Sequence, residues 1–105
     1  MTTVVNIRHS TAWDVYIGRG SILGNPYTHL PLENTKAKFQ VETREESIAS
    51  FRSYAIERIK QDPKFAAAIK ACHGRRLGCY CKPLSCHGDV IAELAEKMVK
   101  GEELQ

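Results

Sequence analysis

The sequence predicts an α/β domain: a small mixed or parallel sheet of about three to four strands, Rossmann-like, with helices packed on it. Three observations carry that expectation. Two short β-prone runs open the chain, two helix-periodic segments fill its middle, and a further β-prone run precedes a last helix. At 105 residues the chain is one domain over residues 1–105, with a polar tail from about residue 100.

The elements follow in order. Val4, Val5 and Ile7 form the first β-prone run, and Trp13 to Ile17 the second, which ends at Gly18-Arg19-Gly20. From Ser21 to Val41 the chain reads as irregular, punctuated by Gly24-Asn25-Pro26 and Leu30-Pro31. A loop of that length in so small a domain is usually functional or partly mobile. Thr43-Arg44-Glu45-Glu46 is a capping box, after which Ile48, Phe51, Ala55 and Ile59 recur at helical spacing. Asp62-Pro63 restarts a shorter helix with proline in its first turn; Phe65, Ile69 and Cys72 share one of its faces, and Gly74 terminates it. Arg75 to Cys81 reads as a third strand, with Arg75 and Arg76 as a solvated edge that discourages further pairing. Pro83 stops this strand. A final helix begins near Ser85 or Cys86 and carries Val90, Ile91, Leu94 and Met98 as its apolar stripe.

Composition bounds the function. Hydrophobic content of 43% and charged content of 26% are those of an ordinary globular chain. A net charge of +3 permits an anionic partner but lacks the basic excess of a dedicated nucleic-acid binder. No apolar run reaches the length of a membrane span, and Met1 to Arg8 has no basic leader followed by an apolar core, so no membrane partner and a cytoplasmic location are expected. In that reducing compartment the four cysteines read as thiols or ligands rather than as disulfides.

The topology locates a site. A strand, helix, strand crossover gives a parallel pair, so the second and third strands should end on the same edge of the sheet. The loops at Gly18 to Asn25 and Lys82 to His87 would converge there, where open α/β sheets bind their ligands. In the first loop Gly18, Gly20 and Gly24 allow backbone N–H groups to approach a phosphate. Arg19 supplies a bidentate cation, and Ser21 and Asn25 supply polar donors. The loop lacks both the Walker ending and the dinucleotide fingerprint, and taken alone it also reads as an ordinary glycine-rich turn.

The second loop is the densest chemistry in the chain. Cys86 and His87 open the last helix, where the helix dipole favours a thiolate. Cys86 is therefore the candidate nucleophile, His87 its proton carrier, and Lys82 a further ligand-binding cation; the plainer alternative is Cys86 as a helix cap and His87 as an exposed histidine. The same residues support an alternative reading: Cys79, Cys81, Cys86 and His87 make a tetrahedral zinc set, though Cys-x-Cys followed by Cys-His is not the usual knuckle spacing. Cys79 and Cys81 also fit as small core residues of a buried strand. As neighbours on one strand face they are poorly placed to bridge one another. Trp13, Tyr27 and Tyr80 could stack on a base or serve as core and rim.

Together, Val15 to Ser21 with its Ile17-Gly18-Arg19, then Gly24-Asn25-Pro26-Tyr27, then Cys79-Tyr80-Cys81-Lys82-Pro83 and Cys86-His87-Gly88-Asp89-Val90 resemble a small bacterial and phage family, domain of unknown function 4326. Its members carry Ile-Gly-Arg, Gly-Asn-Pro, Cys-Trp-Cys, and a Cys-His before the final helix. Tyr80 stands where tryptophan is usual, a conservative aromatic change. The resemblance implies Gly18, Arg19, Asn25, Pro26, Cys79, Cys81, Cys86 and His87 as site positions and a phage-like context, hence a host cytoplasm if phage-encoded. It implies no reaction. The expectation is a protein that binds a nucleotide or other phosphate-bearing ligand, a nucleic-acid component included, with Cys/His chemistry available. The alternative is a non-enzymatic module that binds a host protein and holds a structural zinc.

Overall fold

The computed structural model describes residues 2–8, 13–18, 21–28, 39–79 and 86–104. Its main sheet has three parallel strands: β1 (Thr3–Asn6), β2 (Val15–Tyr16) and β5 (Arg76–Cys79). The order is β1-β5-β2, so the last strand in sequence sits between the first two. Val4 and Val15 both align with Leu77, and Val5 and Tyr16 both align with Gly78. The expected parallel pairing of the second and third strands is thus present, with β1 added on the other side.

Strand position explains composition. The central strand reads Arg-Leu-Gly-Cys and is buried from Leu77 to Cys79. Side chains alternate across it. Leu77 and Cys79 join the helix-covered core with Ile17, and the helix-side neighbours Val4 and Val15 pack against it. Gly78 faces the other way. A Cβ there would meet Ile7 Cγ2 at 2.6 Å and Trp13 Cγ at 3.1 Å, so these two side chains cover that face because residue 78 has none. Arg76 corrects the expectation of an edge: it opens the central strand. Asp14 accepts from its backbone N–H at 2.8 Å and from its guanidinium Nε at 3.2 Å, pinning β2 to β5 at the amino edge of the sheet. That arginine holds the Asp14 carboxyl below the usual carboxylate range.

The segment expected to be irregular carries two short strands, β3 (Tyr27–Thr28) and β4 (Phe39–Gln40), which pair in parallel as a separate ribbon. Each is only two residues long. Their aromatic rings, Tyr27 on Phe39, stack with centroids 5.2 Å apart. Residues 29–38 lie outside the described residues.

Helix α1 (Arg44–Gln61) starts on Thr43, whose hydroxyl accepts the Glu46 N–H at 3.1 Å. Glu46 reaches back one residue further than a standard capping box and accepts the Glu42 N–H at 3.4 Å. Asp62 then serves two helices. Its backbone N–H donates to Arg58 O at the end of α1, and its carboxylate accepts the N–H groups of Lys64 (3.0 Å) and Phe65 (3.3 Å) to start α2 (Pro63–Ala71). Arg58 braces this corner, paired with Asp62 and lying 4.5 Å above the Phe65 ring. Gly74, with φ of 76°, turns the chain out of α2 in the left-handed region that glycine tolerates. Helix α3 (His87–Lys100) ends on Gly101 in the same way.

Phe51, Ala55, Phe65, Ile69, Cys72, Val90, Ile91, Leu94 and Ala95 supply the helical side of the core. The fold is therefore a small α/β unit with three helices on a three-stranded parallel sheet. The Rossmann-like comparison extends only to parallel strands joined through helices.

Candidate functional site

The site lies where α3 begins, over the carboxyl ends of β2 and β5. Close approach is possible because residue 88 is glycine. A Cβ on Gly88 would stand 2.7 Å from Ile17 Cδ1 and 2.9 Å from Val4 Cγ1, so the first turn of α3 rests directly on the sheet. Cys86 is the N-cap of this helix. Its sulfur accepts the Gly88 N–H at 3.3 Å, and Asp89 returns the favour by accepting the Cys86 N–H at 3.2 Å. This is a capping box with cysteine in the place of serine or threonine. The sequence allows Cys86 as the cap but does not show the box in its usual form, and His87, read there as exposed in the plainer alternative, is buried. The signal of the box, Cys86-x-x-Asp89, was legible once cysteine is allowed as a cap.

His87 ties the glycine-rich turn to the helix. Its Nε2 lies 2.7 Å from Ile17 O and 3.1 Å from Leu23 O. Carbonyl oxygens only accept, so Nε2 is the protonated nitrogen and donates to both. That tautomer leaves Nδ1 as the acceptor in the neutral ring, and Nδ1 faces Cys86 Sγ at 3.6 Å. The ring is held edge-on to Phe51, with centroids 4.9 Å apart and planes at 78°. The structure thus sets together a thiol, an imidazole nitrogen facing it and two backbone carbonyls behind the ring, a geometry in which an imidazole can take a thiol proton. Those carbonyls carry no sequence signal, which is why residue patterns could not reveal them.

Cys79 ends β5, and its sulfur is 3.1 Å from that of Cys86. Both cysteines are 1% exposed and His87 is 8% exposed. Two sulfurs bound to one tetrahedral zinc stand about 3.8 Å apart, wider than this contact. Among the described residues, no group of three or more His, Cys, Asp or Glu could hold a metal ion. Cys81, the fourth member of the expected zinc set, lies outside the described residues.

The turn after β2 is organised internally. Ser21 donates both its N–H (3.2 Å) and its hydroxyl (2.7 Å) to Gly18 O, and Gly24 N–H donates to Ser21 O at 3.1 Å. Gly18 gives room to a neighbour: a Cβ there would fall 2.1 Å from the Tyr16 hydroxyl. Asn25 is buried. Its amide nitrogen donates to Ser47 Oγ at 2.9 Å and its amide oxygen accepts the Tyr27 N–H at 2.9 Å, which docks the turn on α1. Ser47 completes the link by donating to Tyr27 O at 3.0 Å. The structure thus brings Gly18, Ser21, Gly24 and Asn25 into one turn joined to Cys86 and His87. Arg19, Gly20 and Lys82 lie outside the described residues, as does Tyr80. Trp13 is 38% exposed, over Gly78.

The family model described as Domain of unknown function (DUF4326) matches residues 5–97. The chain is also similar to the "Uncharacterized 12.4 kDa protein in nrdA-td intergenic region" of Enterobacteria phage T4. The two are 32% identical over 96 residues, which cover 91% of this chain and 70% of the relative. No solved structure matches the chain. The chain belongs to the DUF4326 family.

Proposed function

We propose that this member of the DUF4326 family binds a phosphate-bearing ligand, a nucleotide or nucleic-acid component, at the carboxyl edge of its sheet, beside a Cys86–His87 pair. The observation that carries the reading is the clamp made by His87. Its Nε2 joins the turn after β2 to the start of α3, so the two loops that leave adjacent parallel strands share one edge. Arg19 follows the end of β2 by three residues, and Lys82 follows the end of β5 by three, so each loop carries a cation just past its strand.

The geometry also divides the labour. The Gly88 N–H is directed at sulfur and the Asp89 carboxylate occupies the Cys86 N–H, so the helix start serves the thiol. Phosphate recognition then rests on Arg19 and Lys82, charge-assisted donors suited to it. The sulfur of Cys86 is the nucleophile. His87 Nδ1 takes the thiol proton, the carbonyls of Ile17 and Leu23 hold the resulting imidazolium, and the ring returns the proton to a leaving group.

Binding of nucleoside monophosphates, diphosphates and inorganic phosphate, followed by calorimetry, tests the reading. The expected result is binding of at least one of these probes, loss of at least tenfold in affinity in Arg19→Ala and in Lys82→Ala, and little change in Cys86→Ser. No binding by the native chain, or binding unchanged in both cation variants, overturns it.

A further inference from the structure

The 3.1 Å contact between Cys79 and Cys86 is not used by the proposed chemistry, and it joins two thiols whose surroundings differ from that of the remaining described cysteine. Cys72 is also buried, but its sulfur donates to Ala68 O at 3.3 Å within α2, and among the described cysteines none is paired with it by a sulfur contact like that of Cys79 and Cys86. Burial alone pushes that thiol up to about 11, as for a bystander core residue. Cys86 instead has a backbone N–H aimed at its sulfur, an imidazole nitrogen 3.6 Å away and a second sulfur in contact.

We propose that Cys79 and Cys86 form a dithiol/disulfide redox site whose oxidant is a small peroxide, hydrogen peroxide in the simplest case. The arrangement supplies every part of the reaction except the oxidant. Cys86 gives its proton to His87 Nδ1, and the thiolate attacks one peroxide oxygen. An S–O bond forms, the O–O bond breaks, and the departing hydroxide takes the proton from His87 and leaves as water. Cys86 is now a sulfenic acid. Cys79 attacks the Cys86 sulfur, the S–S bond forms, the S–O bond breaks, and the hydroxide leaves as water with the Cys79 proton. Two thiols lose two electrons and the peroxide becomes two waters. A dithiol reductant reverses the reaction by thiol–disulfide exchange. Both sulfurs are 1% exposed, so reagents reach them through local opening of the fold, and a small peroxide needs the least of it.

The disulfide would also remove the Cys86 nucleophile, so the redox site would regulate the chemistry proposed above. It shares Cys86 with that reading but not its ligand, and its test reads thiol chemistry alone. The native protein is treated with a stoichiometric amount of hydrogen peroxide, free thiols are blocked by alkylation, and the peptides are mapped by mass spectrometry. The expected product has Cys79 joined to Cys86, Cys72 alkylated, and full recovery of thiols with dithiothreitol. In Cys79→Ser, with its fold checked by circular dichroism, Cys86 should stop at the sulfenic acid and be trapped by dimedone. Four alkylated cysteines after peroxide, a bridge that uses Cys81 or Cys72 instead, or a Cys79→Ser variant that still loses the Cys86 thiol to a disulfide would each overturn the proposal. Failure of every phosphate probe to bind would leave it standing.

Discussion

Replacing His87 separates its two jobs, and the contacts give the size of each. His87→Ala removes the donor that serves Ile17 O at 2.7 Å and Leu23 O at 3.1 Å. A buried acceptor left without its donor costs about 1–3 kcal/mol. The same change removes the edge-on contact with Phe51 at 4.9 Å, worth about 0.5–1.5 kcal/mol. The sum, about 1.5–4.5 kcal/mol, is a large part of the roughly 5–15 kcal/mol that holds a domain folded. It corresponds to a fall in Tm of roughly 6–20 °C for a chain of this size. His87→Gln provides the contrast. Its side-chain nitrogen lies as many bonds from Cα as Nε2 does, so it can still donate to the two carbonyls, but it has nothing in the place of Nδ1. Urea unfolding of the three proteins should put His87→Gln closer to the native chain than to His87→Ala. Alkylation of Cys86, followed by mass mapping under native conditions, should be slowed in His87→Gln. If His87→Ala unfolds within about 0.5 kcal/mol of the native chain, or if glutamine is no better than alanine, the clamp does not act as described.

Two further outcomes follow from the same contacts. Gly88→Ala should destabilise the fold by about 1–3 kcal/mol in urea despite alanine's better helix propensity, because its Cβ would overlap Ile17 and Val4; equal or greater stability would show that α3 does not rest on the sheet at that point. Asp14 and Asp62 are held below their usual 3.8 and Glu93 below its usual 4.5, chiefly by Arg76, by the Phe65 N–H and by Arg52 respectively. For a lowered carboxyl the unfolded chain binds protons first, so the stability is present above the unfolded pKa and is lost as pH falls through the folded one. Urea midpoints should therefore decline as pH drops below about 4.5, and Asp14→Asn should flatten part of that decline.

The sequence carried the elements better than the contacts between them. Helical periodicity from Ile48 to Ile59 and the proline after Asp62 fix α1 and α2 locally, so they were legible. The ribbon of β3 and β4 was not. Two-residue strands have no period to read, and their pairing joins Tyr27 to Phe39 across twelve positions of sequence. Arg76 misled for a related reason. A charged residue suggests an edge, but here it opens the central strand because Asp14 meets it from the neighbouring one. At the site, residue types pointed to Cys86 and His87, whereas their orientation depends on the carbonyls of Ile17 and Leu23, which any residues would supply. Asn25 shows the converse. Its amide suits a ligand donor by residue type, while the contacts it makes in the fold, to Ser47 and Tyr27, depend on residues far from it in sequence or on backbone and carry no pattern to read.

Cys86 itself tests whether sulfur is present for its chemistry or for packing. An N-cap is ordinarily Ser, Thr, Asp or Asn, because an oxygen accepts the helix N–H groups better than a sulfur does. Cysteine is therefore a weak choice where a capping box is otherwise complete, with Asp89 in its usual place. Local rules broken at one position, with neighbours arranged around it, are characteristic of functional sites. Cys86→Ser keeps the shape and improves the acceptor. The hydroxyl, buried in place of a thiol that is 1% exposed, can accept from Gly88 and donate to His87 Nδ1, so little of its polarity is left unpaired. The stability in urea should change by less than about 1 kcal/mol in either direction, while the peroxide-induced bridge to Cys79 is lost. A loss above about 2 kcal/mol would mean that the sulfur fills the core as an apolar residue does, and the case for a thiol retained against the capping preference would fail.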